Sequence, residues 1–530
     1  MANSLYDVIV VGSGAGGLAA AVPLAQAGLK VVVFEQHEVP GGWTHSFVLD
    51  KKYRFSPGVH YIGGIGPGGA MRKIYEGLGV SQDLSFYELN PQGYDHVLVG
   101  KEQFDIPKGK ENLRAKLKER FPHESQGIDE YLQMIDKMME ILHALGDIET
   151  AAGAVKSLGK TISIIKWLFL SGQDLLDRYI TDPLLKAILA AQSGDHGMPP
   201  SQVSAFVHAG ITHHYFNGGY YPKGGAYAIP RAFVRALKKA GGEIRLSAPV
   251  EKIIIKNGLA SGVKLADGTE INSRYVISNA DPEITFGKLI GRQYLSAKLK
   301  KKLNRVKYSV SSLSLFFAVD MDLRAAGLDS GNYWMYDHED IDELYRLSQS
   351  DEILQMNEFP ALFLTVTTLK DPEKLKNSGH HTCEAFVFVK YDAFARWSKD
   401  KPDNRSEEYQ QLKAKLTEAM FRTIEKRIPG IREKVVFHNL GTPLTNEHYI
   451  NTTRGNIYGI EKSRKQVGPG AFPVQSEIKN VLMCGASTLS HGVAGVTVSG
   501  IAAAAKILGC NRSDLLKQNG PPLIVKSSEI

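Results

Sequence analysis

The chain's first thirty-five residues constrain its fold more than any other stretch. Asp7-Val8-Ile9-Val10-Val11 is a short apolar run rich in β-branched residues, as expected for a parallel strand buried on both faces. It leads into Gly12-Ser13-Gly14-Ala15-Gly16-Gly17, a match to G-x-G-x-x-G, and then into a small-residue helix from Leu18 to Ala27 closed by Gly28. Lys30-Val31-Val32-Val33-Phe34 forms a second strand that ends in Glu35. Strand, glycine loop, helix, strand and acid in that order predict a dinucleotide site. Gly12 permits the tight turn, Gly14 lets backbone approach a pyrophosphate, and Gly17 allows close helix–strand packing. Ala15 and Gly16 lead into that helix, whose free N–H groups and positive dipole end suit phosphate. Glu35, with Gln36 beside it, stands where an acid accepts hydrogen bonds from a ribose.

The fingerprint does not separate a flavin from a nicotinamide dinucleotide, but two later segments do. Gly41-Gly42, followed by Trp43, offers bare backbone against the extended cofactor beyond its pyrophosphate, where an isolated pair would read as a Pro-Gly turn. Near the other end, Asn480 to Gly485 reads as a buried strand that opens through Ala486 and on to Gly495 into a helix from Val496 to Leu508. That helix N-terminus, aimed back at the first site, would favour a ring that becomes anionic on reduction. Gly64-Ile65-Gly66-Pro67-Gly68-Gly69 also fits the glycine pattern. However, no good strand precedes it and Pro67 lacks a donor, so it reads as a loop beside the cofactor.

These landmarks resemble the FAD-dependent phytoene desaturase, carotenoid isomerase and retinol saturase group. Tyr53 to Gly63 resembles the retinol saturase branch most, and Tyr221 to Ala232 and Val276 to Pro282 resemble segments shared across the group. The resemblance implies an α/β fold: a Rossmann-type FAD-binding domain with an inserted α+β substrate domain. The FAD-binding domain would comprise residues 1–75, 220–290 and 436–510, with the backbone at Val250 against the adenine. A helical piece, 76–219, and a strand-rich piece, 291–435, would form the substrate domain, and 511–530 a frayed polar tail. The sequence departs from the group in two places. Ala486-Ser487 follows Gly485 where an acid is usual, and Trp43 stands where Arg is common.

Composition narrows the remaining choices. Hydrophobic residues make up 43% and charged residues 22% of 530, an ordinary globular balance. The first strand begins almost at once and no stretch reaches eighteen apolar residues, so neither a signal peptide nor a membrane span is expected. Cys383, Cys484 and Cys510 have no metal-like spacing and read as reduced residues of a cytoplasmic protein. A net charge of +7 without a dense basic block argues against nucleic acid as a partner. Membrane association stays open. Lys156, Lys160 and Lys166 flank or interrupt Ile162 to Leu170, so 156–170 reads either as an internal helix or as an interfacial helix presenting Trp167 and Phe169. His213-His214 and His380-His381 are read as surface pairs, and no metal is expected.

A flavin supplies the redox chemistry, leaving the protein to position the substrate and manage one proton. His60 and Tyr61 are the leading candidates for the proton, with Tyr221 and His491 next. The expected enzyme holds FAD non-covalently and acts on carbon–carbon double bonds of a long apolar polyene, a retinoid or carotenoid, by saturation. Its electron donor or acceptor is not legible. Desaturation or isomerisation on the same framework, a flavin amine oxidase, and a non-catalytic lipid or prenyl escort are the alternatives.

Overall fold

Because both faces of Tyr6–Val11 are covered, it needs no polar alternation: Val8, Ile9 and Val10 are fully buried. In the computed structural model, which describes residues 5–146, 166–518 and 520–529, this strand lies inside a seven-stranded sheet. Val31–Phe34 pairs with it in parallel on one side and Glu270–Ser278 on the other. Glu243–Arg245 continues the sheet beyond Val31–Phe34, and Val481–Met483 pairs in parallel with Glu270–Ser278. The meander Val250–Lys256, Leu259–Leu265 and Glu270–Ser278 is antiparallel, and its last strand runs unbroken over nine residues.

The helices Ala15–Gln26 and Gly492–Leu508 begin three and four residues earlier than expected. Their first turns are glycine-rich, so the apolar periodicity that marks a helix starts late. The two helices pack against each other at glycines: a Cβ on Gly500 would lie 2.0 Å from the Gly16 carbonyl oxygen.

A second seven-stranded sheet runs in the order Val435–Gly441, Ser311–Val319, His381–Val389, Ala361–Val366, Asn332–Tyr336, Asp95–Val99, Glu102–Ile106. All its pairings are antiparallel except Asn332–Tyr336 with Asp95–Val99. Two of its strands thus come from the region read as largely helical, and Val435–Gly441 straddles the division placed at 436. One face carries Trp334, Tyr336, Phe363, Phe386 and Phe388, and packs on the helices of residues 110–216. The other carries Tyr333, Met335, Leu364, Ala385 and Val387, and packs on Glu407–Glu425.

Two expectations fail in the structure, and one open alternative narrows. The C-terminus is not frayed: Ile524–Ser527 pairs in parallel with Ser85–Glu88, and Ser528 is buried and donates to the Glu88 carbonyl at 2.6 Å. Its polar composition concealed this, because the open edge it fills is a tertiary feature. Trp167 does not face outward; it is 2% exposed, with its ring stacked on Tyr179, whereas Phe169 is 70% exposed. The remainder of that stretch, 156–165, lies outside the described residues. The histidine pairs are not simply superficial: His381 is buried, and half-buried His214 accepts the Gly63 N–H at 3.0 Å.

Candidate active site

A continuous cavity of about 890 Å³ joins the two halves of the molecule, near the upper end for a small-molecule site. At one end it is lined by Gly12, Gly14, Ala15, Gly16, Glu35, Gln36 and Val250, then by Gly41, Gly42 and Trp43, and then by Gly485, Ala486, Gly495 and Val496. Only Gly17, of the expected cofactor contacts, stands back from it. Gly17 acts in packing instead, since its Cβ would come within 2.1 Å of the Gly12 carbonyl oxygen. Gly12 turns at φ +92°, a conformation that favours glycine.

Ser13 links the parts of this end. Its N–H and hydroxyl donate to Glu35 Oε2 at 2.8 and 2.7 Å, and its Oγ accepts the Gly41 N–H at 3.1 Å. Glu35 Oε1 accepts from His37 N–H at 2.9 Å. That leaves one of the carboxylate's roughly four lone-pair sites for a ribose hydroxyl. Asn279, which closes the strand Glu270–Ser278, was not foreseen. Its side chain lies under the loop, 2.5 Å from where a Gly14 Cβ would stand and 2.6 Å from a Gly16 Cβ. Gly14 and Gly16 are therefore required by Asn279 as well as by any phosphate. Neither Ala15–Gln26 nor Gly492–Leu508 has a side-chain N-cap bond, so both present first-turn N–H groups to the cavity. These features fit a dinucleotide with a redox ring.

Beyond this end the cavity is walled by Trp334, Tyr336, Phe363, Phe386 and Phe388. Three of the four expected proton-handling residues border it. His60 Nδ1 donates to Glu384 Oε2 at 3.0 Å, and its ring lies 4.6 Å from Phe386 between centroids. Burial lowers the His60 pKa against the opposing pull of Glu384, so the ring is neutral with Nε2 unprotonated. Tyr61 hydroxyl lies 2.7 Å from Asp195 Oδ2 and 3.1 Å from Asp95 Oδ2. His491 donates from Nε2 to the Asp195 carbonyl at 3.0 Å, and burial pushes its pKa down to about 3. Tyr221 does not border the cavity. It is fully buried behind His60, its ring 5.7 Å from the Lys370 ammonium and 5.8 Å from that of Lys374.

Several polar residues at the cavity escaped the sequence reading. Asp195 and Lys462 line it, while Glu384 and Lys370 bond to His60 from outside the lining; of these, Glu384 stands in a plainly apolar run of sequence, which is the signal that could have found it. Lys462 donates to the Ala486 carbonyl, and burial drops its pKa to about 7. Among the described residues, no group of histidines, cysteines and carboxylates is placed to hold a metal ion.

Residues 15–508 match the flavin containing amine oxidoreductase family, and the chain belongs to it. It is thus a flavin-dependent oxidoreductase with FAD as its cofactor. Within curated proteins, the all-trans-retinol 13,14-reductase of Danio rerio is 30% identical over 95% of this chain and 86% of its own length. The human protein of that name is 28% identical over 96% and 87%. Prolycopene isomerase 1 of an Oncidium hybrid cultivar is 25% identical over 95% and 84%. Among solved structures, putrescine oxidase bound to putrescine superposes with a TM-score of 0.62 at 16% identity, covering 96% of this chain and 99% of that one, which shows a shared fold.

Proposed function

We propose that this protein adds hydrogen across one carbon–carbon double bond of a long apolar isoprenoid polyene, with retinoids the first class to test. The observation that carries the reading is the cavity itself. It runs from the glycine loop, past the N-terminus of Gly492–Leu508, to a wall of five aromatic side chains on one sheet face. An extended conjugated chain gains both apolar burial and ring contacts along such a wall. The names of the retinol reductase relatives, each aligned over nearly the whole chain, point the same way.

Bound FAD supplies the two-electron transfer. Gly12, Gly14, Ala15 and Gly16 would hold its pyrophosphate, Glu35 its ribose, and Gly492 to Val496 the ring. The chain's own task is to align the polyene, exclude water and deliver a proton. Leu142, Phe169 and Leu489 are exposed apolar residues that also line the cavity, at 40%, 70% and 52% exposure. In this reading they touch a membrane surface and pass an apolar substrate inward. Among the described residues, no helix is long and apolar enough to cross a bilayer.

The test is anaerobic incubation of chemically reduced enzyme with all-trans-retinol and with a carotenoid, followed by mass analysis. A product heavier than its substrate by one H2 is expected. A product of unchanged mass would favour isomerisation, the activity named for the prolycopene isomerase relative.

A further inference from the structure

Tyr61 has one hydroxyl proton and two carboxyl neighbours. Its oxygen lies within hydrogen-bond distance of both Asp195 Oδ2, at 2.7 Å, and Asp95 Oδ2, at 3.1 Å. A phenol donates only one hydrogen bond, so the second contact is a bond only if one carboxyl is itself protonated.

The surroundings decide which carboxyl that is. Asp95 opens the strand Asp95–Val99 and is fully buried. Gln192 Nε2 donates to its Oδ2 and Asn332 Nδ2 to its Oδ1, each at 2.8 Å. Parallel pairing puts Asn332 directly beside Asp95 in register. Lys370 fixes the orientation of that amide, donating to Asn332 Oδ1 and, at 2.7 Å, to the His60 carbonyl. Asp95 is thus met only by donors and is the ionised partner. Among the described residues no amide donates to the Asp195 carboxyl, and Asp195 lies on the cavity wall beside Gly194. Hydrogen bonds then run in one direction, from Asp195 to Tyr61 to Asp95.

We propose that Asp195 is a neutral carboxylic acid at the cavity wall that gives its proton to the substrate carbon, with Tyr61 and Asp95 as the relay that keeps it protonated. The proposal rests on the hydrogen-adding reading above. In the step, the Asp195 O–H bond breaks and a C–H bond forms with the π-electron pair of the double bond. The other carbon takes a hydride, two electrons and one hydrogen, from the reduced flavin, which an external two-electron reductant recharges. Tyr61 then turns its proton from Asp95 to the new Asp195 carboxylate until solvent protonates it. His60 cannot take this part in its neutral form, because its one N–H is committed to Glu384.

Charge in the pocket agrees with the geometry. Burial raises both carboxyls, Asp95 to about 6 and Asp195, which also meets the Asp95 charge, further to about 8. Facing Asp195 are Tyr61, Tyr94, Tyr215, Tyr336, Tyr345 and Tyr458, all raised by burial and so neutral, and His491, lowered and also neutral. Lys370, lowered by burial to about 7, is the remaining group that titrates with the pair, so any midpoint belongs to the three together.

The test begins with flavin-loaded, substrate-free protein, using infrared difference spectroscopy. Near neutral pH the parent should show a carboxylic-acid C=O band that Asp195→Asn lacks. In Asp95→Asn, which removes the like charge but keeps Asp195, the band's midpoint should fall by about one pH unit or more. A parent without the band, or a midpoint that Asp95→Asn does not move, overturns the proposal even if Asp195→Asn does not fold. In single turnover from reduced enzyme, Asp195→Asn should slow hydrogen addition by about a hundredfold while retaining flavin. If the parent adds hydrogen to no polyene, the functional reading falls and the donor role with it. If it does and Asp195→Asn is equally fast, only the donor role falls.

Discussion

Glu384 sets what His60 can do. The carboxylate is fully buried, takes the Ser56 N–H on Oε1 at 2.7 Å and holds the Nδ1 proton of His60 on Oε2. Burial then outweighs this support and keeps the imidazole neutral. His196, His208, His214 and His491 are pushed the same way by burial, the last three to about 4, 4 and 3. The sign follows from proton counts. Below about pH 6.5 the unfolded chain binds protons that these folded rings refuse, so stability falls as the pH drops from 6.5 toward 3. A single such ring contributes a slope of up to about 1.4 kcal/mol per pH unit. His491→Gln should therefore show a shallower acid-side loss than the parent in melting temperatures followed between pH 6.5 and 4. Parallel curves would mean that His491 is not held neutral. His60, Tyr61 and His491 were legible from their glycine-flanked positions in the sequence. Their partners Glu384, Asp195 and Asp95 were not, because each lies more than thirty residues from the group it meets.

At the scale of elements, what limits the cofactor end is the approach of two helices. Gly16 and Gly500 let Ala15–Gln26 and Gly492–Leu508 touch backbone to backbone, and both helix N-termini thereby open into one cavity. Gly500→Leu would drive a side chain into the Gly16 carbonyl. Overpacking of this kind costs about 1–3 kcal/mol, and separating the helices should also weaken flavin binding. Thermal melts and flavin-to-protein ratios would show both effects, whereas a variant with full flavin and an unchanged melt would refute this account. The second sheet teaches a different lesson. Its strands read as unbroken apolar runs because both faces are covered, yet period-2 alternation still separates them. Phe386 and Phe388 face the cavity while Cys383 and Ala385 face the opposite core. A run apolar on both faces cannot reveal which face meets a ligand, so the residues of the aromatic wall were not legible in the sequence.

At the scale of the whole molecule, exposed Phe169, Leu489 and Leu142 gather at the same cavity although they come from three separate parts of the chain. Contact of this patch with lipid should depend on buried apolar area rather than on charge and so resist salt. Phe169→Glu with Leu489→Glu should abolish flotation with neutral liposomes, while Trp167→Phe, an interior change, should leave it intact. Flotation that survives the double substitution would place the contact elsewhere. The sequence alone determined the dinucleotide end, because a glycine turn, a helix N-terminus and a ribose acid act over a few residues of contiguous chain and need specific residue types at fixed spacing. It likewise determined the pairing of that end with a distant glycine–helix unit. Only tertiary structure decided which charges meet at the cavity, which sheet face lines it, and that the last strand closes an open edge. Those outcomes depend on register and on burial from both sides, and long-range pairing leaves no periodic trace in the residues that make it.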